Sequence, residues 1–211
     1  LPRPMLLGLH HVTAICGPAQ ANVDAYAGAL GLRLVKQTVN FDDPGTYHLY
    51  YADGDARPGS VLTVFPWPAD GLRGQIGAGQ ATATAYAVAP GALSRWLDRL
   101  PGAPFEVAMP TVRFGQSVLT LRDADGLVIE LIETDDASGA WADGPVPEAM
   151  ALGAFHSVTL CSRDPDATAH VLTEAYGYAE HGQEGDRLRL VNPAADRARF
   201  VDLFCSPQMP T

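Results

Sequence analysis

The chain has 211 residues, 47% of them hydrophobic and 18% charged, which is ordinary for a globular protein with one sizeable core or two smaller ones. Acidic residues (24) outnumber Lys and Arg (14), giving a net charge of -10 and an isoelectric point near 4.8 with no basic cluster, a balance that repels nucleic acid and anionic membranes. No apolar run approaches the ~20 residues of a membrane span and the first residues carry no signal-peptide pattern, so a cytoplasmic protein is expected.

The first element along the chain is "LLGLHHVTAICG" (6–17), an apolar strand pattern interrupted by His10 and His11. Neighbouring residues on a strand point to opposite faces, so one imidazole enters whatever the strand encloses and the other leaves it. Val23, Tyr26, Ala27 and Leu30 then follow at i, i+3, i+4, i+7, the stripe of an amphipathic helix, and Gly31 closes that helix. Strands are expected in "LRLVKQTVN", "YHLYYAD" and "SVLTVF", parted by the turn residues Asp43-Pro44-Gly45 and Asp53-Gly54.

The same order returns twice. "TAYAV" (84–88) precedes the stripe Leu93, Trp96, Leu97, Leu100 and Gly102, then strands near 105–109, "SVLTLRD" and "LVIELIE", with a turn at Asp125-Gly126. "SVTLC" (157–161) precedes Ala169, Leu172, Thr173, Tyr176 and Gly177, then strands near Tyr178, "RLRLVN" and "RFVDLF". The strand cores start at His11, Thr84 and Ser157, 73 positions apart at each step. The expected fold is α+β: three βαβββ modules, at 6–68, 75–135 and 151–207, with the Gly-, Pro- and acid-rich stretch 136–150 as a linker.

A four-stranded unit of this kind leaves one sheet face bare, so copies are expected to pair into cupped half-barrels around a cavity. Three copies leave one unpaired, which makes homo-oligomeric association through exposed sheet an expectation. Cys16, Cys161 and Cys205 are odd in number and lack CxxC spacing, so three buried free thiols are expected rather than a disulfide framework or a zinc ribbon.

Aligning the last strands, "VLTVF", "VIELI" and "FVDLF", puts Thr63, Glu130 and Asp202 at one equivalent position. A histidine on a first strand and a carboxylate on a last strand can converge on one divalent ion, and a two-His, one-carboxylate face leaves open positions for substrate and oxygen. On the residues alone, His11 is either a packed structural histidine or such a ligand. Thr13 shares its face and is either a further contact near a ligand or an ordinary strand residue. His48 and Tyr50 share one face of the third strand and either line the same cavity or serve the core. Glu130 faces no imidazole at the matching first-strand positions, Thr84 and Ser157, although His156 sits one residue off register. The second and third copies therefore read as a structural barrel, with an independent ion site as the lesser alternative.

The motifs "GLHHVTAI", "YAGALGLRLVKQTVNFDDPGTYHLYYAD" (26–53), "GSVLTVFPWP" (59–68) and "FHSVTL" (155–160) resemble the vicinal oxygen chelate superfamily of glyoxalases, bleomycin-resistance proteins and extradiol dioxygenases. Within it they resemble ring-cleaving dioxygenases of the hydroquinone-dioxygenase type. That resemblance implies four modules holding one iron(II), Fe(II), between the first and the fourth. The second His of the N-terminal pair is then a ligand, which here is His11, and the remaining His and Glu come from the fourth module. This chain stops about where a fourth module would begin, so it is expected to be part of a longer protein and inactive by itself. His10 would face away from His11 or lie at the cavity rim, and with Thr13 would position substrate or oxygen.

The expected activity is Fe(II)-dependent opening of a hydroquinone-type ring, with a small aromatic substrate and O2 as partners. Two rivals are weighed. A glyoxalase-like metal-dependent isomerase would need a His and a Glu in the first two copies, where Thr63 and Thr84 stand instead. A metal-free module of the bleomycin-resistance kind would sequester an aromatic drug on surface supplied by Trp67, Trp96, Trp141 and the tyrosines.

Overall fold

The computed structural model of the protein describes residues 6–67, 71 and 74–205. The expected ends of the first and third modules, at 68 and 207, lie outside the described residues.

Strand β1 (His11–Cys16) alternates cleanly: Val12, Ala14 and Cys16 turn toward the helix side, while His11, Thr13 and Ile15 stay exposed. Helix α1 (Ala19–Val23) runs on as a π-helical turn, Asp24–Ala29, which buries Tyr26 before Gly31 reverses the chain at φ 72°. Strands β2 (Arg33–Val39), β3 (Tyr47–Ala52) and β4 (Val61–Pro66) complete a four-stranded sheet in the order β1-β4-β3-β2, with β1 and β4 parallel.

The second run consists of β5 (Gln80–Val88), α2 (Ala92–Arg99), β6 (Phe105–Val107), β7 (Thr111–Arg113), β8 (Gln116–Asp123) and β9 (Val128–Glu133). The third consists of β10 (Phe155–Cys161), α3 (Pro165–Glu174), β11 (Ala179–Glu184), β12 (Arg187–Val191) and β13 (Phe200–Leu203). Asp164 caps α3, its carboxylate accepting from the Ala167 N–H at 2.9 Å, and Pro165 opens the helix where a missing N–H does no harm. Antiparallel pairing of β5 with β10 fuses the two runs into one nine-stranded sheet, β11-β12-β13-β10-β5-β9-β8-β6, with β7 also on β8. Modules two and three are thus partners, while the sheet of module one stands alone.

Modules one and two pack helix side to helix side. Their shared core includes Tyr26, Leu30, Tyr51, Tyr86, Trp96 and Phe155, and the Trp96 indole N–H donates to the Met150 carbonyl at 2.8 Å. Buried beside it, the Tyr26 hydroxyl donates to Asp123 at 2.7 Å, and burial together with that carboxylate raises the phenol pKa well above its usual value. Module three has a smaller core around Val158, Tyr178, Leu190, Val201 and Leu203, on which only the Ala169 and Leu172 part of the α3 stripe packs; Tyr176 is left exposed.

The thiol expectation is corrected. Cys161 and Cys205 form a disulfide across 44 residues, which brings the end of β10 against the chain leaving β13. Cys16 alone is free, and burial, with Asp125 and Asp123 nearby, pushes its thiol up to about 12. Among the described residues no helix is long and apolar enough to cross a membrane.

Candidate functional site

Two sheet faces point away from the helices, and they differ in content. On the face of module one, strand pairing sets His11 beside Val61 and, one row further, Thr13 beside Thr63, Tyr50 and Lys36 in turn across β4, β3 and β2. The hydroxyls of Thr13 and Thr63 are 2.9 Å apart, and that of Tyr50 lies 2.9 Å from His48 Nδ1. The His48 ring is stacked on Phe65 at 3.9 Å, and the Lys36 ammonium lies 5.2 Å from the Tyr50 ring. Burial lowers the pKa of His48, helped by the charges of Lys36 and His11, so at neutral pH His48 is an uncharged hydrogen-bonding group. The four side chains flagged by the sequence, His11, Thr13, His48 and Tyr50, therefore share one face.

His10 does not face away from His11, the first of its two expected places. It precedes the strand rather than belonging to it, so the alternation rule does not govern it, and its ring turns back to meet that of His11, with the two Nδ1 atoms 3.0 Å apart. One of these nitrogens carries the proton and the other accepts it. When His11 donates its Nδ1–H to His10, its Nε2 lone pair is open to a ligand, the arrangement by which a neighbour fixes the tautomer of a metal-binding imidazole. The chain's residues thus fit a metal as one imidazole donor with an adjacent orienting partner. Among the described residues no group of three His, Cys, Asp or Glu side chains is placed to hold an ion.

The joint face of modules two and three is filled with ion pairs. Glu130 accepts from Arg113 at 2.7 Å, and Asp202, wholly buried, accepts from Arg189 Nε and Nη2 at 2.7 and 2.9 Å and from Arg187 at 3.2 Å. Arg189 is itself covered by the Phe114 and Phe200 rings, 4.2 and 5.1 Å from its guanidinium carbon. The Phe114 N–H donates to Glu184 at 2.7 Å and draws the two ends of this long sheet together. A β-bulge at Phe155/Ser157 swings His156 into the same face, where Nε2 meets the Gln116 side-chain oxygen at 3.1 Å; burial and the Arg189 charge lower its pKa to about 3. Guanidinium groups stand where an ion shared by Glu130 and Asp202 would need to be.

Strand register corrects the repeat spacing. Glu130 lies opposite Ala85, Thr63 opposite Thr13, and Asp202 opposite Thr159, so the residues at His11's place are Ala83 and Ser157, 72 and then 74 positions on. Thr84, aligned with His11 by the uniform spacing, belongs to the other face. Sequence reasoning also missed Arg113, Arg187 and Arg189. The last two were visible as charges alternating with leucines in "RLRLV", a pattern that sends both arginines to one face.

A βαβββ sheet bearing His11 and His48 on one face, beside a joined pair of such units, defines a protein of the glyoxalase-fold class. The chain belongs to the glyoxalase/bleomycin resistance protein/dioxygenase superfamily, whose family model matches residues 8–131. MhqO of Bacillus subtilis, assigned by its name to the ring-cleaving dioxygenases, is 43% identical over 203 residues, 95% of this chain and 64% of that protein. The chlorohydroquinone/hydroquinone 1,2-dioxygenase of Sphingobium indicum is 34% identical over 201 residues, 93% of this chain and 63% of that protein. A crystal structure of a Bacillus subtilis protein assigned as a dioxygenase superposes with a TM-score of 0.90 at 41% identity, covering 98% of this chain and 66% of that one. Glyoxalase I from Zea mays shares the fold, with a TM-score of 0.69 at 14% identity over 96% of this chain and 69% of that one. The chain therefore spans just under two thirds of the length of the two curated relatives named.

Proposed function

We propose that this chain carries the first-module half of an iron(II) site in a dioxygenase that opens hydroquinone-type rings, the remaining ligands lying in a further module that covers the open face. The observation that supports this reading is His11, exposed on the sheet face that, among the described residues, no ion pair fills, with its Nδ1 engaged by His10. The names of the relatives point to the same chemistry. Bound there, iron(II) would supply Lewis acidity and a path for electrons between the ring and O2.

The chain's own groups have separate tasks. His10 holds the tautomer of His11. Thr63, buried, fixes the Thr13 hydroxyl two residues from His11, where it can hydrogen-bond a ring oxygen or O2. The Tyr50–His48 pair and Phe65 offer an aromatic wall, edged by the Lys36 ammonium, that suits a planar phenol. Of the aromatics named for the drug-sequestering alternative, Trp96 is wholly buried in the core, whereas Trp67 is exposed.

The test is oxygen uptake by the full-length protein loaded with iron(II), with hydroquinone as substrate. Hydroquinone-dependent uptake with a ring-opened product, lost in His11→Ala, is expected. An iron-loaded protein that consumes no oxygen with hydroquinone, or a His11→Ala variant that retains activity, would sink the reading.

A further inference from the structure

We infer that Arg197 and Asp53 are positioning residues for the His10–His11 segment, so that the third module, which has no imidazole at its own ligand positions, sets the geometry of the site in the first. The inference rests on the reading of His11 as a metal ligand.

Four pieces of chain meet just before β1: its entry at 8–10, the β3–β4 connection at 53–60, the β12–β13 connection at 192–199, and the segment around Gly139. The Leu9 N–H donates to the Ala198 carbonyl at 3.0 Å, and the His10 carbonyl accepts from the Gly59 N–H at 2.8 Å. Gly59 in turn accepts at its carbonyl from the Phe155 N–H of β10 at 2.7 Å, and Asn192 donates to the Leu6 carbonyl at 2.8 Å. The backbone on both sides of His10 is therefore held by module three, directly or through Gly59.

These contacts are backbone against backbone. Gly8, Gly59 and Ala198 all have positive φ, 98°, 91° and 49°. A Cβ on Gly8 would sit 2.8 Å from the Arg197 carbonyl oxygen, and one on Gly59 would sit 2.9 Å from the Ala198 Cβ. The nearest atoms are backbone carbonyls and alanine methyls, which have no freedom to absorb a shift, so a displacement of the 192–199 connection is transmitted to His10.

Among the described residues two ion pairs tie this connection to the β3–β4 side, an exposed one, Arg57 to Asp196 at 3.3 Å, and a buried one that solvent cannot screen. The Arg197 guanidinium is paired with the Asp53 carboxylate at the end of β3, with side chains 7% and 0% exposed, and Gly139 lies directly over the pair. Arg197 Nε and Nη1 and Asp53 Oδ1 have no further partner among the described residues, so each charge depends on the other. Attraction within a buried pair roughly offsets its desolvation, whereas separating the pair strands two charges without water. Such a pair adds little net stability but strongly penalises every arrangement except the one that keeps the β12–β13 connection on β3. Its effect falls on the geometry of the β1 entry more than on the fold.

The test uses the full-length protein with cobalt(II) as the probe metal, its affinity read by chelator competition, and the ring-nitrogen NMR resonances of His10 and His11 in metal-free protein. Arg197→Met is compared with Leu190→Ala, a core change in module three that does not touch the junction. Arg197→Met is expected to weaken cobalt binding about tenfold or more, in the range of other orienting partners, and to shift both ring resonances. Leu190→Ala should leave both unchanged even at equal or greater thermal destabilisation, and Arg197→Lys should restore part of the affinity. If Arg197→Met fails to fold, the double variant Arg197→Met/Asp53→Leu removes both charges and answers the same question. Wild-type affinity and resonances in the folded charge-free variant, or equal changes in Leu190→Ala, would overturn the inference. Unchanged cobalt binding in His11→Ala would overturn the underlying metal reading instead, and the ring resonances would still report whether Arg197 positions the pair.

Discussion

The two sheet faces are built from the same unit and have opposite fates. In modules two and three, the positions equivalent to His11 hold Ala83 and Ser157, and the carboxylates Glu130 and Asp202 are neutralised by arginines brought in from β7 and β12. In module one the carboxylate position is Thr63, His11 stands on the first strand, and among the described residues no arginine is paired across this face. On that inner face each carboxylate is already paired with a guanidinium, although Glu130 Oε2 is left without a partner among the described residues, so an ion entering there would have to displace an arginine. The comparison teaches that one or two side chains on the first and last strands decide whether such a face is filled by a charge network or left open, the open face being the one to which the proposed reading assigns the ion.

The comparison can be broken most severely at His11. In the full-length protein, His11→Ala should reduce iron affinity by more than the roughly 100-fold that loss of an orienting neighbour brings, as read by metal analysis after dialysis against a chelator. Its counterpart is Asp202→Ala, which leaves Arg189 buried and unpaired; urea unfolding should show a loss of about 3–5 kcal/mol with metal content unchanged. A metal loss in that variant would mean the two faces are not independent. His10→Ala should leave stability near wild type while weakening metal binding by about 10–100-fold, since it removes only the partner that fixes the tautomer.

A milder test is pH. The folded-state pKa of His156, about 3, lies below its unfolded value near 6.5, so unfolding takes up a proton between those values. The stability it contributes is complete above pH ~6.5 and is lost as pH falls toward ~3. Thermal melts should therefore show stability falling with pH in that window, with a shallower fall in His156→Gln. The smallest effect is expected for Thr63→Val, which frees the Thr13 hydroxyl: about 1 kcal/mol of stability and a rise in KM for the ring substrate.

Much of the architecture was legible in the sequence because each module repeats three independent signals, an apolar strand, a helical stripe and a closing glycine; Gly31, Gly102 and Gly177 all adopt the positive φ that role requires. Register was not legible in module two. "QATATAYAV" carries small residues on both faces, so alternation gave no phase, and a one-residue slip inverts every side chain. The side taken by His10 was hidden because the strand starts one residue later. The Cys161–Cys205 bond joins segments made neighbours only by the β10–β13 pairing, which no spacing rule reveals.

The seam between β5 and β10 has a consequence for the order in which the molecule is made. It joins modules that follow one another in the chain, so this inner pair can close as soon as its second half has emerged from the ribosome. On the proposed reading, the partner of the first module lies beyond the third, and the two pairings nest like brackets. The outer bracket closes last, around an inner pair already folded, so metal capture would belong to the final stage of synthesis, and a chain halted early would be folded but without chemistry.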